Sequence, residues 1–376
     1  MPTSKEWSDG IGRSDNRFRL TEEEAKLIMV RRQTGVVPDD EAVHSDRNVL
    51  RLLATNKKIS GMYKAALIEL DEMQRQIDLL CELDKEIHRP VLKLKHQEQK
   101  SGKSRSVIVL PFSDLHLGEV VDPDTVSHLN TYNVDTAKIR VKAYFEKVMY
   151  LTNLMRTKTK IDHVVLALLG DMINGDIHEE LREENELTGI EAVDLAEDML
   201  IEGIDFLRNH GKFKKISVAC CFGNHGRTTR KPRNSTAWKN NLEYLLYRHL
   251  AKLYSGQNDI TFQLTKGYHN YVEMWPDWTV RFHHGDKISY HGGVGGISIP
   301  VNKAVWKWSN IKRVKLDVFG HFHQCKEDHM WVSNGSVIGF NAYAMGIKAD
   351  YEPPRQRFLV IEEDKGLTFN MPILLS

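Results

Sequence analysis

The sequence predicts an α/β fold with a largely parallel sheet, preceded by an amino-terminal helical region. Three observations carry that expectation: a βαβαβ alternation beginning near residue 107, polar residues of one chemical kind at the end of each apolar run, and a helical pattern without strands over the first 88 residues. Parallel strands need a crossover between them, usually a helix, and ligands of such a sheet collect beyond the strand carboxyl ends.

Residues 21–33 place Thr21 and Glu24 at capping-box spacing and run out near Gly35, which predicts a short helix with Arg31 and Arg32 in its tail. From Ser45 to Ile87 the helical period dominates. Tyr63, Ala66, Leu70, Met73, Ile77 and Leu80 follow one another at spacings of three and four. Such a seam fits a helical hairpin, a helix docked on the main domain, a dimerising coiled coil or a DNA-reading module. Residues 89–106 are basic, polar and without apolar period, so they read as a linker, and the domain scheme becomes 1–88, 89–106 and 107–376. Residues 107–114, 163–171 and 216–224 read as strands, with helices over 134–158 and 190–210 between them. A further helix over 236–254 precedes strands at 260–264, 270–274, 278–284, 316–320, 329–334 and 357–362, which suggest a second, mixed sheet.

At 376 residues there is room for one large α/β core and an accessory region. Lys and Arg total 52 against 51 Asp and Glu, so any attraction to a polyanion has to come from a local patch. Cys81, Cys220, Cys221 and Cys325 lack paired zinc-ribbon spacing, the pattern of reduced thiols in a cytoplasmic protein. The amino terminus has no apolar signal core, and no stretch approaches the roughly 20 apolar residues of a membrane span.

The chemistry sits at the strand ends. The first three strands close on Asp114-Leu115-His116, Gly170-Asp171 and Gly223-Asn224-His225, and later ones on His283-His284-Gly285-Asp286 and Gly320-His321-Phe322-His323. Strand tips of one sheet cluster in space, so these donors can converge across the sequence. In Asp114-x-His116 and His321-x-His323 an extended backbone would put both side chains on one side. Asp, His and Asn donors without Cys suit Mn²⁺, Fe or Zn²⁺. The supply is enough for two ions, which can share a hydroxide and clamp a phosphoryl centre, with Asp171 as the natural bridge. Taken singly, D-x-H or G-D is a common turn; five such sites at successive strand ends are not. His163 and His269 read as ordinary strand-flanking residues.

This ordered set of motifs, over about residues 107–340, resembles the calcineurin-like metallophosphoesterase superfamily. The resemblance implies a four-layer αββα sandwich with a dinuclear centre. Carried over by position, Asp114, His116, Asp171 and His323 would hold one metal ion, and Asp171, Asn224, His284 and His321 the other. His284 is preferred to His283 because the family's ligand directly precedes the glycine and because His284 shares a strand face with Phe282 and Val280. His225 would steady the transition state or protonate the leaving oxygen. Protein Ser/Thr phosphatases of the superfamily carry acids where Gly226 and Asn174 stand, which makes that activity a poorer fit and leaves Asn174 or Asp176 to orient His225.

Arg227, Arg230, Lys231, Arg233 and Lys239 follow the third motif with no intervening acid, a patch that profits a long polyanion more than a small monoester. The expected function is therefore a metal-dependent phosphodiesterase acting on nucleic acid, DNA favoured, as an exo- or endonuclease similar to SbcD-like repair exonucleases, with Mn²⁺ the favoured ion. The alternatives are a small-molecule or cyclic-nucleotide phosphodiesterase or phosphatase, and a noncatalytic scaffold. The linker and Trp306-Lys307-Trp308 lean toward nucleic acid, with core packing the competing role for both tryptophans. Residues 174–189 read as an acidic lid or a plain connection, and the glycines of 291–296 as a phosphate-approaching loop or a flexible hairpin. A homo-oligomer through the amino-terminal helices is the other expected partner.

Overall fold

The computed structural model describes residues 40–83, with side chains over 47–78, and residues 104–376 apart from 291, 293 and 294. The helix expected over 21–33, most of the expected linker and part of the glycine-rich loop lie outside the described residues. The chain divides into two units, Met1–Gln97 and Glu98–Ser376.

In the first unit, Asp40–Leu83 forms one continuous helix, α1, where a hairpin was among the expectations. The stretch contains no proline, and Gly61 in its middle costs only about 1 kcal/mol relative to alanine, too little to break 44 residues of helix.

The second unit is built on two sheets. One has the order β11-β10-β1-β2-β3-β4. Its parallel part comprises β1 (Arg105–Phe112), β2 (Lys160–Leu168), β3 (Lys215–Cys220) and β4 (Ile260–Leu264), connected through helices α2 (Val134–Arg156), α4 (Gly189–Gly211) and α5 (Leu242–Leu253). A short helix, α3 (Glu179–Glu184), precedes α4. The other sheet has the order β5-β6-β7-β9-β8. There β6 (Trp278–His283), β7 (Leu316–Phe319) and β9 (Trp331–Ser333) run parallel, between antiparallel edges β5 (Asn270–Trp275) and β8 (Glu327–Asp328). Helix α6 (Ser298–Ser309) crosses from β6 to β7, and α7 (Ala342–Gly346) follows β9.

Alternation along β1 divides the interior. Ile108, Leu110 and Phe112 pack with α2, α4 and α5, whereas Val107 and Val109 meet Val280, Phe282 and Val318 of the other sheet. The far face of that sheet gives Phe319 and Trp331 to Val301 and Val305 of α6. The layers are therefore helices, sheet, sheet and helix, an αββα sandwich.

Two expectations are corrected. Strands β4 and β10 (Arg355–Glu362) belong to the first sheet and not the second, because α5 returns the chain parallel to β3 and β10 pairs antiparallel with β1. β11 (Gly366–Leu374), the hairpin partner of β10, and α6 were not assigned from the sequence. Among the described residues no helix is long and apolar enough to cross a membrane.

One buried ion pair fixes the second sheet. Arg281 and Asp317 are cross-strand partners with no exposed surface, and Arg281 donates Nε to Asp317 Oδ1 at 2.6 Å and Nη2 to Oδ2 at 3.0 Å. The same guanidinium reaches the carbonyl of Val305 in α6 at 3.3 Å. Asp317→Ala would leave the guanidinium charged and unpaired, and should lower unfolding stability in urea by about 3–5 kcal/mol, with Arg281→Met/Asp317→Leu recovering most of the loss. A single-variant loss below about 1 kcal/mol would contradict this role of the pair.

Candidate metal centre

All five motifs lie just past the strands that carry them. Asp114 and His116 follow β1, Asp171 follows β2, Asn224 and His225 follow β3, His284 follows β6, and His321 and His323 follow β7. The backbone there is not extended. Asp114, His116, Asp171, His321 and His323 have φ of 54°, 48°, 52°, 70° and 53°, so D-x-H and H-x-H converge through left-handed turns and not by strand alternation. Left-handed non-glycine residues are strained by about 1–3 kcal/mol each and persist only where surroundings hold them. The ties are visible: Asp114 N–H donates to Gly170 O and His116 N–H to Asp171 O, both at 3.0 Å. Neighbouring glycines make room. A Cβ at Gly170, whose φ is +95°, would lie 2.4 Å from Gly223 N, and one at Gly223 would lie 2.1 Å from Asp171 Oδ1.

The donors form three sets, with ligand atoms in each within 4.8 Å of one another: Asp114, His116 and His323; His116, Asp171 and His225; and Asp171, His284 and His321. Asn224 joins the last through Oδ1, 3.0 Å from His284 Nε2. Asp171 belongs to sets on both sides, as a bridging carboxylate must. Its Oδ2 is 2.9 Å from His284 Nε2 and 3.9 Å from His116 Nε2, while its Oδ1 accepts His225 N–H at 2.8 Å.

Hydrogen bonds behind the rings fix which nitrogen faces inward. His284 donates Nδ1–H to Leu169 O at 2.8 Å, so its Nε2 points at Asp171 Oδ2 and Asn224 Oδ1. His116 donates Nδ1–H to Asn174 Oδ1 at 3.0 Å, and its Nε2 faces His323 Nε2 at 3.1 Å. Electron-rich atoms gathered in this way suit a cation. Titration behaviour reflects the negative field of the two carboxylates. Burial opposes charge on His284, yet the carboxylates of Asp171 and Asp114 outweigh it and raise its pKa to about 10. Burial likewise opposes ionisation of Asp171, but His284 and its neighbours hold the carboxyl well below its usual range. Burial, reinforced by the charges of His225 and His323, pushes His116 down to about 3, so this ring is neutral and able to ligate. The donor set fits two divalent ions.

The remaining expected residues divide. His225 is oriented by neither side chain assigned to it: its Nδ1 meets the backbone carbonyl of Asn174 at 2.8 Å. The Asn174 side chain serves His116 instead, and Asp176, largely exposed, pairs with Arg182 at 3.2 Å. His283 turns away from the donors and stacks on Phe319, because adjacent strand residues face opposite sides. Arg227 and Arg233 line a cleft of about 290 Å³ beside Asn224; Arg230 and Lys231 are exposed outside its lining. Trp308 also lines the cleft, whereas Trp306 is 66% exposed, so core packing holds for neither in full. The acidic segment is a connection tied to the His116 side, with Asn185 Nδ2 donating to Gly175 O and Asn174 Nδ2 to Asn185 Oδ1.

Sequence reasoning missed Glu243. Fully buried in the first turn of α5, it accepts the N–H of Met172 and of Gly223, both at 2.7 Å, and so grips the residue after Asp171 and the residue before Asn224. Asn241 caps the helix and donates Nδ2 to Gly223 O at 2.9 Å. A Cβ at Gly226 would come within 2.8 Å of Glu243 Cγ, so the glycine following Asn224-His225 is the space this side chain needs. A carboxylate distant in sequence leaves no short motif, and only the bare Gly226 hinted at it. Glu243→Ala should weaken Mn²⁺ binding about tenfold or more in calorimetric titration and cost about 2–4 kcal/mol of stability, with Glu243→Gln intermediate. Unchanged Mn²⁺ affinity would contradict the bracing role.

No protein-family model and no curated protein sequence matches the chain. Among solved structures it is similar to a single mutant of Vps29 from Entamoeba histolytica, at 11% identity over 70% of this chain and 98% of that one, with a TM-score of 0.30. It is also similar to a dimetal phosphatase from Danio rerio, at 13% identity over 73% and 100% with a TM-score of 0.31, and to phosphopantetheinyl hydrolase from Mycobacterium tuberculosis, at 11% over 62% and 91% with 0.28. The chain has an αββα sandwich and, at its strand tips, the donors Asp114, His116, Asp171, Asn224, His284, His321 and His323 gathered together.

Proposed function

We propose that the chain is a metal-dependent phosphodiesterase that hydrolyses nucleic-acid phosphodiester bonds, with DNA the favoured polymer. Two divalent ions, Mn²⁺ favoured, would be held by Asp114, His116, Asp171 and His323 and by Asp171, Asn224, His284 and His321. When bound, such ions supply Lewis-acid charge and lower the pKa of water. The chain's own residues do the rest. His225, its Nδ1–H anchored on the Asn174 carbonyl, turns Nε2 toward the donors, where it can hold or give a proton to a leaving oxygen.

The observation that carries the substrate class is the cleft beside Asn224. Arg227, Arg233 and Lys287 line it with a single acid, Asp286, and Tyr268 and Trp308 form an aromatic wall. Cations next to a scissile phosphate neutralise its neighbours along a polymer, and rings accept bases by stacking. Arg227 donates Nη1 to Asn224 O at 3.0 Å, which keeps its guanidinium at the cleft edge. A second reading draws on cleft size: about 290 Å³ is room for a single nucleotide, which favours a small-nucleotide or cyclic-nucleotide phosphodiesterase.

The test compares labelled single- and double-stranded DNA with bis(p-nitrophenyl) phosphate, in Mn²⁺ and in EDTA. DNA cleavage should need the metal, and Asp171→Asn should abolish turnover of both substrates. Arg233→Ala/Lys287→Ala should lower kcat/KM on DNA about tenfold while changing diester turnover less than about twofold. Arg230→Ala/Lys231→Ala should do less on DNA. Equal losses on both substrates would remove the polymer reading, and turnover surviving in Asp171→Asn would contradict the bridging assignment.

A further inference from the structure

Residues 287–316 carry Lys287, Lys303, Lys307, Lys312, Arg313 and Lys315 and not one acid, although the whole chain balances 52 cations against 51 acids. Apart from Lys287, this charge lies outside the cleft, on α6 and the turn after it. Val301 and Val305 bury one side of α6, so positions 303, 306, 307 and 310, at steps of three and four, share the opposite side. Lys303, Lys307, Lys312, Arg313 and Lys315 are exposed, and among the described residues no carboxylate pairs with any of them. Trp306 stands between the two helical lysines, 66% exposed. An indole left bare among cations gains nothing from packing. Asp328, on the flank of the helix, is already engaged by Asn302 at 3.0 Å and His329 at 2.9 Å.

We propose that this face of α6 binds a single strand of nucleic acid beyond the cleft, an inference that rests on the nuclease reading given above. Unpaired bases stack on Trp306, while Lys303 and Lys307 neutralise the phosphates on either side. The face is joined to the cleft. Lys312 Nζ lies 4.0 Å from the ring centroid of Tyr271, and that ring is 6.0 Å from the ring of His269 in the cleft lining. A strand leaving the cleft past His269 therefore meets a second aromatic ring and then the cations that follow α6.

The exposed indole narrows the substrate class. A duplex keeps its bases stacked on one another and offers Trp306 no face, whereas a single strand or a frayed end offers one at every nucleotide. An anionic membrane is the competing occupant of a surface with an indole and lysines. Ile299 and Trp306 are the exposed large apolar side chains of α6, whereas a helix lying in a bilayer interface buries a full apolar face. Continuity with the cleft favours the strand.

The experiment measures anisotropy of a labelled single strand of about 30 nucleotides, and of its duplex, with the full chain in EDTA, so that binding is read without cleavage. Turnover of a trinucleotide and of bis(p-nitrophenyl) phosphate in Mn²⁺ reports on the metal centre, and co-sedimentation with phosphatidylglycerol vesicles reports on membrane binding. Lys303→Glu/Lys307→Glu should weaken single-strand binding about tenfold or more and reduce the slope of log K against log salt by about 1–2. Trp306→Ala should weaken it about fivefold or more while changing duplex binding less than about twofold. Both variants should turn over the trinucleotide and the diester within about twofold of wild type, since these positions lie outside the cleft. Single-strand binding indifferent to either variant would overturn the proposal, as would a wild type that binds vesicles and no strand. Binding lost in both variants of a protein that cleaves no nucleic acid would sink the nuclease reading and leave the surface standing.

Discussion

Two carboxylates that water cannot reach set the terms for this molecule. Asp114 and Asp171 are 0% and 1% exposed, beside five imidazoles and the amide of Asn224. Burying anions without compensation is expensive, and the structure compensates with donors aimed from every side. Both oxygens of Asp114 accept the N–H of His321, at 3.0 and 3.1 Å, and Asp171 accepts His225 N–H. The residual negative field is what raises His284 to about 10 despite burial. A divalent cation satisfies that field better than a proton, because lone pairs from several groups already point at one place.

The scaffold makes the convergence achievable. Parallel strands β1, β2 and β3 end side by side, and β6 and β7 of the facing sheet end beside them, so residues from five chain segments meet where the layers close. Regular strand geometry would carry these side chains past one another; left-handed turns at five donors redirect them. That strain is held by the Asp114-to-Gly170 and His116-to-Asp171 backbone bonds, by glycines with no space for a Cβ, and by Glu243 from the helix behind. Arg281 and Asp317 serve the same end in the second sheet, pinning the register that brings His284 level with the turn holding His321.

Much of this was legible in the sequence because strand tips announce themselves: an apolar run closing on D-x-H, G-D, G-N-H or G-H-x-H marks both a strand and its end. The parallel order of β1 to β3 followed from the helices between them. Other features were hidden for physical reasons. Membership of β4 and β10 in the first sheet depends on long-range pairing that no local period encodes. The positive φ at Asp114 and His116 cannot be inferred from residues that usually avoid it. Asn174 carries two roles in one residue, a side chain for His116 and a carbonyl for His225, and the sequence shows only that it is an asparagine. The basic run after His225 read as one patch, yet the loop folds so that Arg227 and Arg233 face the cleft while Arg230 and Lys231 do not.

The central claim is that these donors cage a pair of cations bridged by Asp171, and anomalous scattering from crystals equilibrated with Mn²⁺ tests it most directly. The account predicts two peaks sharing the Asp171 carboxylate, one among Asp114, His116 and His323 and one among Asn224, His284 and His321. A map without Mn²⁺ at these donors, or with all of its Mn²⁺ at other residues, would contradict it.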